Sequence, residues 1–214
     1  MIREKPCIVI VEDHPIMRNG LADYFTKTGR WQVAGTAPTL QEAKNLLAGT
    51  QADVVLIDIQ LEDGWGLDII PWYAQCTEFA RRTRSAKSRA GLVPLMAVYT
   101  SFDDYAHVSA AMSLGVRAYI TKRQDEQDLE NALLKVLAGE TYVDDTALFL
   151  LDTVKNQLRL LSKREMEIFT LVKQKHSNKQ IAGNLGISTR TVENILSCVY
   201  DKMGIRSRYE LERL

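Results

Sequence analysis

At 214 residues, 46% hydrophobic and 25% charged, the chain is long enough for one large or two smaller domains and reads as globular, not disordered. Its formal charge is zero, yet it divides between Val154 and Lys155 into 15 basic against 21 acidic residues and then 12 against 6; a first part near −6 suits a metal cation and a second near +6 a polyanion. Three scattered cysteines, Cys7, Cys76 and Cys198, argue against a disulfide framework or zinc motif, and with neither a signal peptide nor ~18 uninterrupted apolar residues a cytoplasmic chain with no membrane partner and reduced, mostly buried thiols is expected.

Short apolar runs recur at Cys7 to Val11, Val33 to Ala37, Val54 to Ile57, Leu95 to Tyr99 and Ala118 to Thr121. Runs without polar alternation suit strands buried on both faces, and the spacers are long enough for crossover helices, so a parallel sheet in a doubly wound (βα)5 domain is predicted. Helix signals fill the gaps. Met17, Leu21, Tyr24 and Phe25 make one apolar stripe, Thr39 with Glu42 offers a capping box, and after Asp125 the residues Leu129, Leu133, Val136 and Leu137 turn inward.

In such sheets the binding crevice lies at the carboxyl ends of the strands. Glu12 and Asp13 end the first strand, Asp58 the third, Thr100 the fourth, and Lys122 closes the fifth. Three carboxylates make a hard-oxygen site suited to Mg²⁺. A carboxylate beside that metal is a nucleophile toward phosphorus when an ammonium and a hydroxyl also meet the phosphoryl oxygens, which makes Asp58 the candidate. Each residue alone reads more readily as a solvated strand cap; all five in strand order are much harder to dismiss.

The segments "VEDHP" at Val11 to Pro15, "VVLIDIQL" around Asp58, "VYTS" around Thr100 and "AYITK" ending at Lys122 resemble the receiver domain of bacterial response regulators. The resemblance implies a flavodoxin-like fold of strand order 2-1-3-4-5 over residues 1–140. It implies Mg²⁺ held by Glu12, Asp13, Asp58 and the backbone carbonyl of Gln60, and phosphate accepted by Asp58 from a sensor histidine kinase and contacted by Thr100 and Lys122. Tyr119 matches the family's switch aromatic, with an ordinary strand aromatic as the alternative. Two departures stand out. Leu61 and Glu62 occupy the positions of the usual Met-Pro pair, although Gly66 keeps the family spacing. The stretch from Cys76 to Val93 is longer than the family pattern and carries Arg81, Arg82, Arg84, Lys87 and Arg89, read either as a partner-docking helix or as a solvated insertion.

Residues 141–157, with the apolar segment Ala147 to Leu151, read as a linker helix. From 158 to 214 capping signals mark four short helices: Ser162 with Glu165, Ser177 with Gln180, Ser188, and Ser207 with Glu210. Ile181, Ala182 and Leu185, a turn at Gly186, and the stripe Val192, Ile195 and Val199 describe a small all-α helix-turn-helix domain with residues 189–203 as recognition helix. "LSKREMEIF", "NKQIAGNLGISTRTVEN" and "DKMGIRSRYEL" resemble the LuxR-type domain, and its pairing with a receiver resembles the NarL/FixJ subfamily of transcription regulators. Double-stranded DNA is the implied partner. Lys179, Arg190 and Lys202 are the expected phosphate contacts; Thr191, Glu193, Asn194 and Ser197 fall on the DNA-facing part of the helix, with Glu193 and Ser197 at positions often basic in relatives.

The resemblance implies a non-enzymatic phosphoacceptor switch that pairs as a homodimer when phosphorylated. An aspartyl-phosphate phosphatase would want an acid where Gln60 stands, and a nucleotide-binding enzyme would want a Gly-rich phosphate loop that does not occur. The remaining alternative is a phosphorylation-independent regulator or protein-interaction module with a receiver-like fold.

Overall fold

The computed structural model describes residues 5–82 and 93–214. They form two compact units: residues up to Asp103 with His107–Ala147, and Asp104–Ala106 with Leu148–Leu214. In chain order the elements are β1 (Cys7–Val11), α1 (Pro15–Lys27), β2 (Gln32–Ala37), α2 (Leu40–Gly49), β3 (Val54–Ile57), β4 (Gln60–Leu61), β5 (Gly64–Trp65), α3 (Ile69–Arg82), β6 (Leu95–Thr100), α4 (Tyr105–Ser113), β7 (Ala118–Thr121), α5 (Glu126–Leu137), β8 (Tyr142–Val143) and α6 (Asp145–Arg159). The basic side chains of the insertion, from Arg81 to Arg89, lie outside what is described.

The sheet order is β2-β1-β3-β6-β7-β8, parallel throughout. Its first five strands are the five apolar runs in the doubly wound order. β1, β3 and β7 are buried at every residue because helices cover both faces. Alternation divides their side chains. Ile8, Ile10, Val54, Leu56, Ala97, Tyr99 and Ile120 pack with Leu21 and Phe25 of α1 and Leu129, Leu133 and Val136 of α5; the residues between them, such as Val9, Val55, Val98 and Tyr119, face the opposite side.

Three local features differ from the sequence expectation. Thr39 accepts from the Glu42 amide, but Glu42 returns no bond to the Thr39 amide, so only half of that capping box forms. The expected linker helix over 141–157 gives way to strand at Tyr142–Val143, because the edge beside Ala118 and Tyr119 offers partners: Tyr142 donates to the Arg117 carbonyl at 2.9 Å and Asp144 to the Tyr119 carbonyl at 3.1 Å. α6 then begins behind Asp144, whose buried carboxylate accepts from the Ala147 amide at 2.9 Å and the Thr121 amide at 2.6 Å. Of the cysteines, only Cys7 is buried; Cys76 and Cys198 sit on exposed helix faces.

The second unit contains α7 (Lys163–Lys173), α8 (Asn178–Leu185), α9 (Thr189–Met203) and α10 (Arg208–Arg213). Full capping boxes form at Ser162 with Glu165 and Ser177 with Gln180, and Ser188 caps α9 through the Thr191 amide. At α10 Ser207 accepts from the Glu210 amide, while the Glu210 carboxylate turns to the Arg206 amide. Gly186 ends α8 at φ 64°, a left-handed conformation that glycine takes without strain. Ile168, Val172, Ile181, Val192, Leu196, Val199, Met203 and Leu211 form the core. No helix among the described residues is long and apolar enough to cross a membrane.

Candidate functional site

The register of the parallel ladder gathers the strand-end residues. Val11 pairs with Ile57, Ile57 with Val98, and Thr100 with Thr121, so Glu12, Asp58, Thr100 and Lys122 emerge along one rim. Backbone bonds fix them there: Asp58 donates to the Val11 carbonyl at 2.9 Å, and Lys122 to the Thr100 carbonyl at 2.8 Å. Beneath Asp58 lies Gly66, whose amide donates to the Ile59 carbonyl at 2.7 Å. A Cβ on Gly66 would stand 1.9 Å from the Asp58 carbonyl oxygen, so close approach of two backbone segments explains why glycine occupies this spacing.

Lys122 Nζ donates to Asp58 Oδ2 at 2.6 Å and meets Glu12 Oε2 at 2.8 Å. Burial disfavours its charge, but the hydrogen bonds and charges of Asp58 and Glu12 prevail and hold its pKa above the ordinary lysine value. Glu12, 1% exposed, titrates above the ordinary glutamate value because burial outweighs the help of Lys122. Asp13 completes the acidic group, and His14 joins it: one ligand atom from each of Glu12, Asp13, His14 and Asp58 lies within 4.8 Å of the others. Asp13 Oδ1 is buried without a hydrogen-bond partner, and three carboxylates outnumber one ammonium, so the donor set fits a hard divalent cation. Gln60 lies at the start of β4, its amide 3.4 Å from Asp58 Oδ1.

The Thr100 hydroxyl is buried beside the Phe102 amide, 3.5 Å away. Tyr119 is fully buried, and its hydroxyl donates to the Phe102 carbonyl at 2.9 Å. Phe102 stacks on His107 with ring centres 4.1 Å apart, and half-exposed Trp65 leans against both at 6.0 and 5.5 Å. Sequence reasoning missed this aromatic group and His14. The pair β4–β5 replaces the expected Met-Pro segment and carries Trp65 to this rim, and Asp63 at its tip accepts from the Leu40 and Gln41 amides at 2.6 and 3.0 Å. Against the burial that would raise it, those amides hold the Asp63 pKa below the ordinary carboxylate range.

In the second unit Lys179, Arg190, Thr191, Glu193, Asn194 and Ser197 are all exposed, while Val192, Leu196 and Val199 turn inward and Ile195 is half-buried. The Thr191 hydroxyl is 2.8 Å from that of Ser188 at the helix cap. Lys202, expected as a phosphate contact, is engaged within the unit. Its ammonium is held by both oxygens of Glu165, at 2.8 and 2.7 Å, and ties the end of α9 to the start of α7. The Lys202 hydrogen bond and then the Ser162 amide and hydroxyl lower the Glu165 pKa to about 2. Adjacent helices joined by a tight turn, with polar residues on the outer face of the second, are the geometry that enters a major groove.

The response regulator receiver domain family matches residues 8–134, and the luxR family of bacterial regulatory proteins matches residues 159–214. The chain belongs to the response regulators that join a receiver to a LuxR-type DNA-binding domain, the NarL/FixJ type. It is similar to the oxygen regulatory protein NreC of Staphylococcus aureus strain JH9, with 28% identity over 95% of this chain and 94% of that one. Among solved structures it resembles RcsB from Salmonella enterica serovar Typhimurium bound to promoter rprA with the phosphomimetic BeF3⁻, at TM-score 0.67 and 21% identity over 97% of this chain and 96% of that one. A LuxR-family response regulator from Aurantimonas sp. SI85-9A1 aligns at TM-score 0.54 and 24% identity over 69% of this chain and 96% of that one.

Proposed function

We propose that Asp58 is the phosphoacceptor of this regulator and that its phosphorylation by a sensor histidine kinase controls dimerisation and DNA binding in the cytoplasm. The observation that carries the reading is Lys122 Nζ bridging Asp58 and Glu12 at the strand ends. An oxygen of Asp58 attacks the phosphorus of a phosphohistidine; the P–N bond breaks, and its electron pair stays on the imidazole nitrogen. Glu12, Asp13, Asp58 and the Gln60 carbonyl would hold Mg²⁺, which would supply charge neutralisation to the transferring group. Lys122 transfers its ammonium contact from the carboxylate to a phosphoryl oxygen, and the Thr100 hydroxyl donates to another. Gln60 offers no acid to a leaving group, which fits a switch with at most slow autodephosphorylation.

Lys179 and Arg190 are the proposed phosphate contacts on DNA, with Glu193, Asn194 and Ser197 toward base edges and Thr191 at the helix start. Lys202 reaches a phosphate only by leaving Glu165. The RcsB structures include dimers bound to DNA, and for this chain phosphorylation would shift a pre-existing equilibrium toward the paired, DNA-binding form.

One observation favours a second reading, that of a regulator active without phosphate: Tyr119 is already buried, with its hydroxyl on the Phe102 carbonyl. A single experiment separates the two. Wild type and Asp58→Ala are incubated with Mg²⁺ and a small phosphodonor, and acid-stable, base-labile phosphate is followed beside binding to random DNA. Incorporation in wild type alone with tighter binding supports the switch; equal DNA binding by both proteins, without incorporation, supports the second reading.

A further inference from the structure

We propose that His14 is a direct ligand of the metal at the strand ends, and that it shifts this site from Mg²⁺ toward divalent transition metals with an affinity for imidazole. The inference rests on the reading of Glu12, Asp13 and Asp58 as a metal site. His14 Nδ1 lies 2.7 Å from Asp13 Oδ1 and 3.4 Å from Glu12 Oε1. The shorter contact lacks the alignment of a hydrogen bond, since Asp13 Oδ1 has no hydrogen-bond partner.

Donor atoms on neighbouring vertices of an octahedron with bonds of about 2.1 Å lie about 3 Å apart, and those on opposite vertices about 4.2 Å. The separations of His14 from Asp13 and Glu12 bracket the first value, and the whole group of four falls within 4.8 Å. At ion-pair distance the ring nitrogen and the carboxylate oxygen share either a proton or a cation, and a cation between them would use both as ligands.

The backbone presents His14 for this role. It occupies the N-cap position of α1, where a side chain ordinarily satisfies a helix amide, yet its side chain makes no capping bond. Its amide instead donates to Glu12 Oε1 at 3.3 Å, which seats the residue against the acidic pair, and Pro15 fixes the next residue of the chain. The ring itself is 76% exposed and can adjust to an ion without disturbing the core.

Carboxylate and carbonyl oxygens suit Mg²⁺, whereas an imidazole nitrogen adds affinity for Ni²⁺ and its neighbours and contributes little to Mg²⁺. Oxygen sites already favour the later metals to some degree. The signature of His14 is therefore the part of that preference that disappears with its ring.

The test titrates the full chain with MgCl2 and NiCl2 by calorimetry, for wild type, His14→Ala and Asp13→Asn, and records pulsed electron paramagnetic resonance of bound Mn²⁺. His14→Ala should weaken Ni²⁺ on the order of tenfold or more while leaving Mg²⁺ within about twofold, and Asp13→Asn should weaken both. Wild-type Mn²⁺ should show nitrogen-14 modulation that His14→Ala lacks. If wild type shows no nitrogen coupling, or His14→Ala binds Ni²⁺ as tightly as wild type while Asp13→Asn loses both metals, the inference falls and the acidic site stands. If Asp13→Asn binds both metals like wild type, the metal site and the inference fall together.

Discussion

Gly66→Ala tests whether close packing against Asp58, the proposed acceptor, sets its position. The added Cβ would stand 1.9 Å from the Asp58 carbonyl oxygen and 2.7 Å from Ile57 Cγ2, where real contacts stay outside 3.0 Å, so relief requires about 1.1 Å of movement (3.0 less 1.9). The obstacle is backbone and cannot rotate away, which puts the cost at the upper end of overpacking, about 3 kcal/mol, or roughly 10 °C in melting temperature for a domain of this size. The same displacement would carry Asp58 away from Lys122, now 2.6 Å distant, and slow phosphoryl uptake on the order of 100-fold. Trp31, Trp65 and Trp72 all belong to the first unit, so tryptophan fluorescence during urea unfolding reports on it directly. Gly20→Ala is the control: a Cβ there meets nothing within 4 Å, and in mid-helix alanine should add about 0.5–1 kcal/mol. Wild-type stability and wild-type phosphate uptake in Gly66→Ala would refute the packing argument.

Glu165 has a folded-state pKa of about 2 against an ordinary 4.5, so its stabilisation is complete above pH 4.5 and is lost as pH falls toward 2. Acid titration of helical circular dichroism should show this loss in wild type and a flatter profile in Glu165→Gln; identical profiles would rule the pair out as its source. Glu130 is wholly buried and accepts from Trp31 Nε1 at 2.9 Å, Tyr24 at 3.2 Å and Arg30. Replacing it with Met leaves the buried indole N–H unpaired and should cost about 1–3 kcal/mol, read as a lower urea midpoint by tryptophan fluorescence. Lys175 takes φ 63° between α7 and α8, and Lys175→Gly should raise stability by about 0.5–1 kcal/mol; a drop in the urea midpoint followed by helical circular dichroism would contradict that.

The residues legible from sequence were those whose role follows from position along a strand. A polar residue that ends a run buried on both faces must reach the rim, so Glu12, Asp58, Thr100 and Lys122 were found without knowing the register. Capping chemistry likewise located α7, α8 and α9, because Ser162, Ser177 and Ser188 act on amides three residues ahead. Interactions between distant segments stayed hidden. Glu165 was legible only as the partner of Ser162 in a capping box; that its carboxylate also takes the Lys202 ammonium, and that buried Glu130 serves the Trp31 indole just before β2, follows from contacts between segments far apart in the chain. Two-residue strands such as β8 carry too little pattern to be seen, since their pairing depends on which edge is open. The spacing of Gly66 was visible, but its reason, the Asp58 carbonyl lying directly against it, was not.

One carboxylate makes the end of the receiver sheet and the start of the next helix a single joint. The Asp144 side chain accepts from the Thr121 amide, one residue before Lys122, and from the Ala147 amide in the first turn of α6, while its own amide rests on the Tyr119 carbonyl. Torque applied to the first turn of that helix therefore bears on the backbone of the strand that carries Tyr119 and Lys122. Losing that one carboxylate would leave two amides without their acceptor at once, one at the end of β7 and one in the first turn of α6.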